Sequence, residues 1–365
     1  MKPRLLMVAR MRYELPLSPS LERKFAALRE RFDLRVLASS AAGPAQDDGT
    51  FRLARRLPVL DGPLFYLLLP FRMRRLVREH GSDVILAQSP YEGAFALLAR
   101  TPARVVVELH GDWRTATRLY GPRRRRLLAP LTDAVGAWAV RRADGVRTIS
   151  AYTSGLARSL GREPGGEFAA FMDFELFLGP PVPLPPTPAA LFVGVLELYK
   201  NVDGLARAWR LAAPRLPGVQ LRLVGRGPLQ PVVEQLAADL PAQTTWTPAL
   251  TQAEVARALD EATCLVLPSR SEGLGRVLIE SFLRERPVVA RRVGGIVDVV
   301  EDGFNGLLVD TDAELADALV RLLSDRLLAE RLAAGALESG RRWLATPDEF
   351  AERIAQLITD SGLSS

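Results

Sequence analysis

The stretch Thr263-Cys264-Leu265-Val266-Leu267-Pro268-Ser269-Arg270-Ser271-Glu272-Gly273-Leu274-Gly275-Arg276-Val277-Leu278-Ile279-Glu280-Ser281 reads as a strand, a loop and a helix. The apolar run ending at Pro268 has the length of a buried strand, and Val277, Leu278 and Phe282 then recur at helical spacing. At such a junction the helix presents backbone N–H groups without intrahelical partners and a partial positive charge. Gly273 and Gly275 lack the side chains that would hold a ligand away from them. Glu272 and Glu280, separated by seven residues, can accept hydrogen bonds from hydroxyls at two ends of one ligand. Sugars and riboses supply such hydroxyls. Two carboxylates alone would more simply be a helix-start acid and a solvated helical Glu; the surrounding Pro-Ser-x-x-Glu-Gly-x-Gly pattern favours the ligand.

This stretch resembles the Glu-(seven residues)-Glu signature of retaining, nucleotide-sugar-dependent glycosyltransferases of the family-four type. These are the group 1 glycosyl transferases, which include sucrose synthase and bacterial mannosyltransferases. The resemblance implies an α/β protein of GT-B fold, with two Rossmann-like domains facing a central cleft. It also implies that Glu272 faces the transferred sugar, that the backbone of Gly273, Leu274 and Gly275 touches sugar and phosphate, and that Glu280 holds the nucleotide ribose.

A chain of 365 residues suits two α/β domains, each able to bury its own core, and 48% hydrophobic with 25% charged residues is a globular composition. No window approaches the roughly 18–20 uninterrupted apolar residues that span a bilayer. The chain runs directly into a strand-like Leu5-Leu6-Met7-Val8-Ala9 without a signal-peptide pattern, so a cytoplasmic location is expected. The one cysteine, Cys264, cannot form an internal disulfide, and with two histidines, His80 and His110, no Cys/His metal site is expected. No Asp-x-Asp signature of metal-dependent glycosyltransferases is expected, Asp47 and Asp48 being adjacent and in a predicted loop, so a metal-independent reaction with no cofactor is expected. The net charge of +6 is carried almost wholly by arginine and suits an anionic partner, but a GC-rich genome also yields such a composition.

The first half alternates strand-like runs at 5–9, 34–38, 84–87, 105–109 and 146–149 with helical stretches such as Ser20 to Phe32 and Phe65 to His80. This implies a parallel sheet with helices on its faces and ligands at the carboxyl ends of the strands. Ser20 is the expected N-cap of the first helix. Many members of the resembled family carry a Gly-rich turn in the loop after the first strand. Here the loop reads Arg10-Met11-Arg12-Tyr13-Glu14-Leu15-Pro16, so either Arg10 and Arg12 serve the phosphates or the loop serves the acceptor. His110, in Val105-Val106-Val107-Glu108-Leu109-His110-Gly111-Asp112-Trp113, falls at a strand end, where the family's His contacts the transferred sugar. His80 reads as a helix C-terminal residue.

Basic residues cluster at Arg72, Arg74, Arg75 and Arg78, and again from Arg114 and Arg118 through Arg123, Arg124, Arg125 and Arg126 to Arg141 and Arg142. The second cluster is interleaved with Leu119, Tyr120, Leu127, Leu128, Leu131, Val135 and Trp138, which makes it a basic amphipathic element suited to an anionic membrane surface. A solvated basic face over a core is the simpler alternative. No nucleic-acid module is recognisable, so no nucleic-acid partner is expected.

The expected domains are residues 1–178, the acceptor domain, completed by a C-terminal helix at 343–360; a Pro-rich linker at 179–188; and a donor domain at 189–342. The donor domain opens with Leu191-Phe192-Val193-Gly194-Val195-Leu196-Glu197-Leu198-Tyr199-Lys200, which matches the family's phosphate-binding segment. The match implies that Gly194 lies against the donor and that Lys200 neutralises its diphosphate. Many members carry Arg where this chain has Val195, and Arg226 in Val224-Gly225-Arg226-Gly227 is a candidate replacement. Trp246 falls in the segment beside the nucleotide base. The resemblance is dense from about Leu191 to Val309 and thin across the first half.

The expected function is transfer of a hexose, with retention, from a UDP- or GDP-hexose to a sugar or lipid-linked glycan acceptor in cell-surface polysaccharide or glycolipid synthesis. The enzyme would be cytoplasmic and peripheral on the inner face of the plasma membrane. Alternatives on the same architecture are a nucleotide-sugar epimerase, a sugar phosphorylase, or a non-catalytic sugar-nucleotide-binding partner.

Overall fold

A computed structural model of the chain describes residues 2–41, 43–55, 61–119, 123–180 and 182–360. The chain forms two units: one holds the N-terminal part through Arg118, Arg123–Phe171 and the chain from Ala345 onwards, and the other holds Met172–Leu344.

In the first unit the strands β1 (Arg4–Tyr13), β2 (Asp33–Ser40), β3 (Gln46–Asp47), β4 (Phe51–Ala54), β5 (Val84–Ala87), β6 (Arg104–Leu109), β7 (Gly145–Thr148) and β8 (Gly166–Glu167) lie in the order β3-β4-β2-β1-β5-β6-β7-β8. Among the described residues, only the β3–β4 pair is antiparallel. The helices α1 (Pro19–Arg31), α2 (Asp61–His80), α3 (Pro90–Ala99), α4 (Thr115–Leu119), α5 (Ala129–Arg142) and α6 (Ala151–Ser159) intervene. Because helices cover both faces, the central strands are apolar on both sides. Leu5, Met7, Leu86 and Val106 pack with Phe25 and Leu28 of α1, and Leu6, Val8, Ile85 and Val107 pack with Leu69 and Met73 of α2.

In the second unit β9 (Ala189–Val193), β10 (Gln220–Val224), β11 (Thr244–Thr247), β12 (Cys264–Leu267), β13 (Val288–Arg291) and β14 (Gly306–Val309) form a parallel sheet in the order β11-β10-β9-β12-β13-β14. The chain winds outward in one direction from β9 and in the other from β12. The loops leaving these two neighbours therefore diverge and open a crevice at the carboxyl edge. The helices are α7 (Val202–Ala212), α8 (Gln230–Asp239), α9 (Gln252–Asp260), α10 (Arg276–Leu283), α11 (Asp312–Ser324) and α12 (Arg326–Arg341). The chain then returns to the first unit as α13 (Pro347–Asp360), whose Phe350, Ile354 and Leu357 join the core beside α1.

Several sequence expectations shift. The first helix opens at Pro19 with Ser18 as N-cap, not Ser20, because proline's fixed φ and missing N–H suit the first helical position. A further short strand, β8, pairs with the outer edge of β7 beyond the runs read from the sequence. The Pro-rich stretch 179–188 falls within the second unit, and the boundary drawn at 178 moves to 171. Four of its carbonyls are taken up by guanidinium groups. Arg286, fully buried, donates to Val182 O at 2.9 Å and Pro183 O at 3.2 Å, and Arg326 donates to Pro185 O at 2.8 Å and Leu184 O at 3.1 Å. The return of the chain to the first unit likewise falls at Ala345 rather than 343. Among the described residues, no helix is long and apolar enough to cross a membrane.

Candidate active site

The two diverging loops of the second sheet bring Lys200 and Glu272 together across 72 residues of sequence, with Lys200 Nζ donating to Glu272 Oε1 at 2.6 Å. Each side chain is about 11% exposed, so the pair is largely removed from water yet borders it. Ser269 Oγ donates to the same oxygen at 2.7 Å. The Lys200 stem passes over Gly194, where an added Cβ would lie 3.5 Å from Lys200 Cε. Arg270 binds the two loops: its N–H donates to Tyr199 O at 2.6 Å, and its guanidinium donates to Leu198 O at 3.0 Å and Asp203 Oδ2 at 2.7 Å. Sequence reasoning passed over Ser269 and Arg270, although both lie inside the quoted motif.

Beyond Glu272 the chain turns through Gly275, whose φ of 85° is strained for any residue with a Cβ, into α10. The first-turn N–H groups of this helix therefore open at the loop, as the Gly pattern implied. Leu274 is buried, so its backbone rather than its side chain is what a ligand could reach. Glu280, one turn into α10, is nearly buried, and Arg276 Nε donates to its Oε1 at 2.7 Å. Burial pushes the Glu280 carboxyl above its ordinary range, with the Arg276 charge pulling the other way. Arg276 also donates to Asp173 O at 3.0 Å. The loop is braced from outside the motif: Gly295 N–H donates to Glu272 O at 2.9 Å, and a Cβ on Gly295 would lie 1.9 Å from Gly273 O.

Val195 and Arg226 are exposed, and the Arg226 carbonyl accepts from Leu196 N–H at 2.9 Å, which sets Arg226 beside the Gly194 loop. The indole of Trp246 donates to Gly225 O at 3.0 Å. One expectation needs correction. Asp310-Thr311-Asp312 does have the Asp-x-Asp spacing. Here Asp312 accepts from Arg207 at 2.7 Å, Asp310 lies 3.7 Å from Arg292, and Thr311 caps α11.

In the first unit His110 leaves the carboxyl end of β6 with its side chain about 37% exposed and its Nε2 3.2 Å from Glu108 Oε2. Glu108 is buried and also accepts from Arg147, its register partner on β7. Burial alone would raise this carboxyl, but the Arg147 charge and the His110 hydrogen bond outweigh it and hold it near a pKa of about 2. The signal was an acid and a base interrupting two apolar strand runs, Val105 to Leu109 and Val146 to Ile149. The loop beyond His110 is anchored by Trp113, which packs where Gly136 of α5 leaves room and donates to Asp133 O at 3.3 Å. Of the basic element, Arg126 is exposed; the side chains of Arg123, Arg124 and Arg125 lie outside the described residues.

Two expectations follow. Gly295→Ala must displace the Gly273 backbone, so nucleotide affinity measured by calorimetry should fall by more than about tenfold, 1.4 kcal/mol, while the far-UV spectrum is retained. Glu108 has a folded pKa below its unfolded value of 4.5, so its stabilisation is present above pH 4.5 and is lost as pH falls towards 2. Acid-unfolding curves of Glu108→Gln should be flatter across that window by up to about 1.4 kcal/mol per pH unit.

The chain is similar to known proteins. Residues 187–325 match the family described as glycosyl transferases group 1, and residues 18–166 match the glycosyl transferase 4-like domain. A GDP-mannose-dependent alpha-(1-6)-phosphatidylinositol monomannoside mannosyltransferase of Mycolicibacterium smegmatis is 30% identical over 312 residues, covering 78% of this chain and 78% of that protein. A D-inositol 3-phosphate glycosyltransferase of a Nocardioides species is 37% identical over 170 residues, covering 41% of this chain and 37% of that protein. The chain thus spans well under half of that relative's length. The sucrose-phosphate synthase structure from Thermosynechococcus elongatus superposes with a TM-score of 0.79 at 19% identity, covering 100% of both chains, which establishes the fold. With its sheet order, its paired loop residues and these likenesses in agreement, the chain belongs to the group 1 glycosyl transferases and has the GT-B fold.

Proposed function

We propose that the protein transfers a hexose from a UDP- or GDP-hexose to an acceptor hydroxyl with retention of configuration. The observation that carries this reading is the Lys200–Glu272 pair beside the N-terminus of α10, which combines a cation, a carboxylate and helix-start N–H groups. In the reaction the bond from the anomeric carbon to the diphosphate oxygen breaks and a bond to the acceptor oxygen forms. The acceptor proton passes to the leaving phosphate, so no side chain need act as base. Lys200 and the α10 N–H groups stabilise the departing diphosphate. Glu272 orients sugar hydroxyls, Glu280 holds the ribose, and Arg226 adds a cation in place of the one absent at Val195. His110, from the first unit, is assigned a hydrogen bond to the transferred sugar.

Support for an acceptor at an anionic membrane surface comes from α5 and the turn before it. Leu127 is 85% and Leu131 64% exposed, and Leu128 and Trp138 are also exposed. Leu128, Leu131, Val135 and Trp138 recur at helical spacing, flanked by Arg126, Arg141 and Arg142. An apolar stripe between arginines gains from both acyl chains and headgroup charge, at about 1 kcal/mol per basic side chain.

A nucleotide that binds only the folded state raises the melting temperature, by roughly 2.7 kcal/mol of stabilisation at a hundredfold excess over Kd. A panel of UDP, GDP, ADP and their sugar conjugates should therefore shift the protein with one base selectively, and Glu280→Ala should abolish the shift. No response to any of them would remove the donor-site reading, and conversion of donor without acceptor would indicate an epimerase. Sedimentation with anionic but not neutral vesicles should be lost on charge reversal at Arg123 to Arg126; undiminished sedimentation would exclude this surface.

A further inference from the structure

Glu108 is a buried carboxylate that the proposed transfer leaves without a task. Val106, Glu108 and His110 follow one another at every second position, so their side chains share one face of the sheet. On that face Glu108 Oε1 accepts from Arg147, and Oε2 lies 3.2 Å from His110 Nε2. Arg147 cannot easily be displaced: its Nη2 donates to Phe168 O at 2.8 Å, and its guanidinium carbon lies 4.2 Å from the Phe168 ring centre and 5.4 Å from that of Phe350 on α13. The carboxylate is thus gripped from below by a cation that is itself held between rings.

An ionised carboxylate can only accept a hydrogen bond. With Arg147 keeping Glu108 ionised, the His110 nitrogen that faces it must carry the proton. In a neutral imidazole this leaves Nδ1 as the acceptor. We infer that Glu108 is a positioning residue for His110: anchored by Arg147, it fixes the imidazole in the Nε2–H form and its orientation, so that Nδ1 is presented to a hydroxyl of the sugar. This inference rests on the proposed part of His110 in transfer.

The test begins on the unaltered protein. With only two histidines in the chain, long-range proton–nitrogen spectra of the 15N-labelled protein can be assigned with a His80→Gln variant. With the imidazole neutral, Nε2 should be protonated and its proton protected from exchange. A proton on Nδ1, or a freely exchanging Nε2–H, would overturn the inference without any variant at Glu108. Glu108→Gln should then lower kcat by at least about tenfold, as loss of a second hydrogen bond to a working histidine does, with donor KM within about twofold. In a His110→Asn background the same change should cost nothing further. Equal losses in both backgrounds would mean that Glu108 serves only the fold and would overturn the assignment. A wild-type protein that is folded, carries the locked Nε2–H and transfers no sugar would instead overturn the function on which this rests, so the two failures are separable.

Discussion

Two opposite charges held at the edge of water, on loops that share little but a sheet boundary, are the constraint around which the second unit is arranged. Lys200 and Glu272 are each almost fully covered, and an uncompensated charge at that depth would be costly. Each therefore depends on the other, and Glu272 also on Ser269. In the proposed transfer, an anionic ligand that draws on Lys200 would leave Glu272 needing other donors, which a ring of hydroxyls would provide. The backbone supporting the pair is rigid: Arg270 binds the two loops, and the Gly294-Gly295 turn lies against the loop in direct backbone contact. The topology makes this economical, since β9 and β12 are neighbours from which the chain departs in opposite directions.

The first unit handles charge differently. Glu108 and Arg147 are both close to fully buried, register partners on adjacent strands, with aromatic rings from a late strand-end segment and from the final helix covering the guanidinium. Such a pair gains little for stability compared with apolar residues of similar size. It does impose direction, because neither partner can rotate without depriving the other of its counter-charge. The final helix α13 is thus more than a cover for the sheet: its Phe350 also helps fix the charge to which His110 is hydrogen-bonded.

Much of this was legible in the chain. The alternation of short apolar runs with helical spacing located β1, β2, β5, β6 and β7 to within a few residues, because strands buried on both faces must be continuously apolar, but it missed β4, whose Phe51-Arg52-Leu53-Ala54 alternates buried and half-buried positions. The Glu-Gly-Leu-Gly run marked a loop opening onto a helix, and the positive φ of Gly275 shows why a residue with a Cβ would be strained there. The helix start at Pro19 was missed by two residues at its cap because Ser18 and Ser20 are chemically alike and only Pro19 distinguishes them. The stretch 179–188 reads as a free spacer from composition, yet Arg286 and Arg326, more than a hundred residues downstream, take its carbonyls. No local pattern in the proline run signals that.

What the sequence determined by itself was therefore local and periodic: which segments are strands, where the glycine loop opens, and which acids and bases stand at strand ends. Those follow from side-chain spacing and backbone sterics within a few residues. Which of those charges meet was decided only by the tertiary structure. Lys200 finds Glu272 across 72 positions and Arg147 finds Glu108 across 39, because strand order and register set those distances. Once buried, a charge accepts whichever partner the sheet places within reach, and the sequence alone carries no record of that placement.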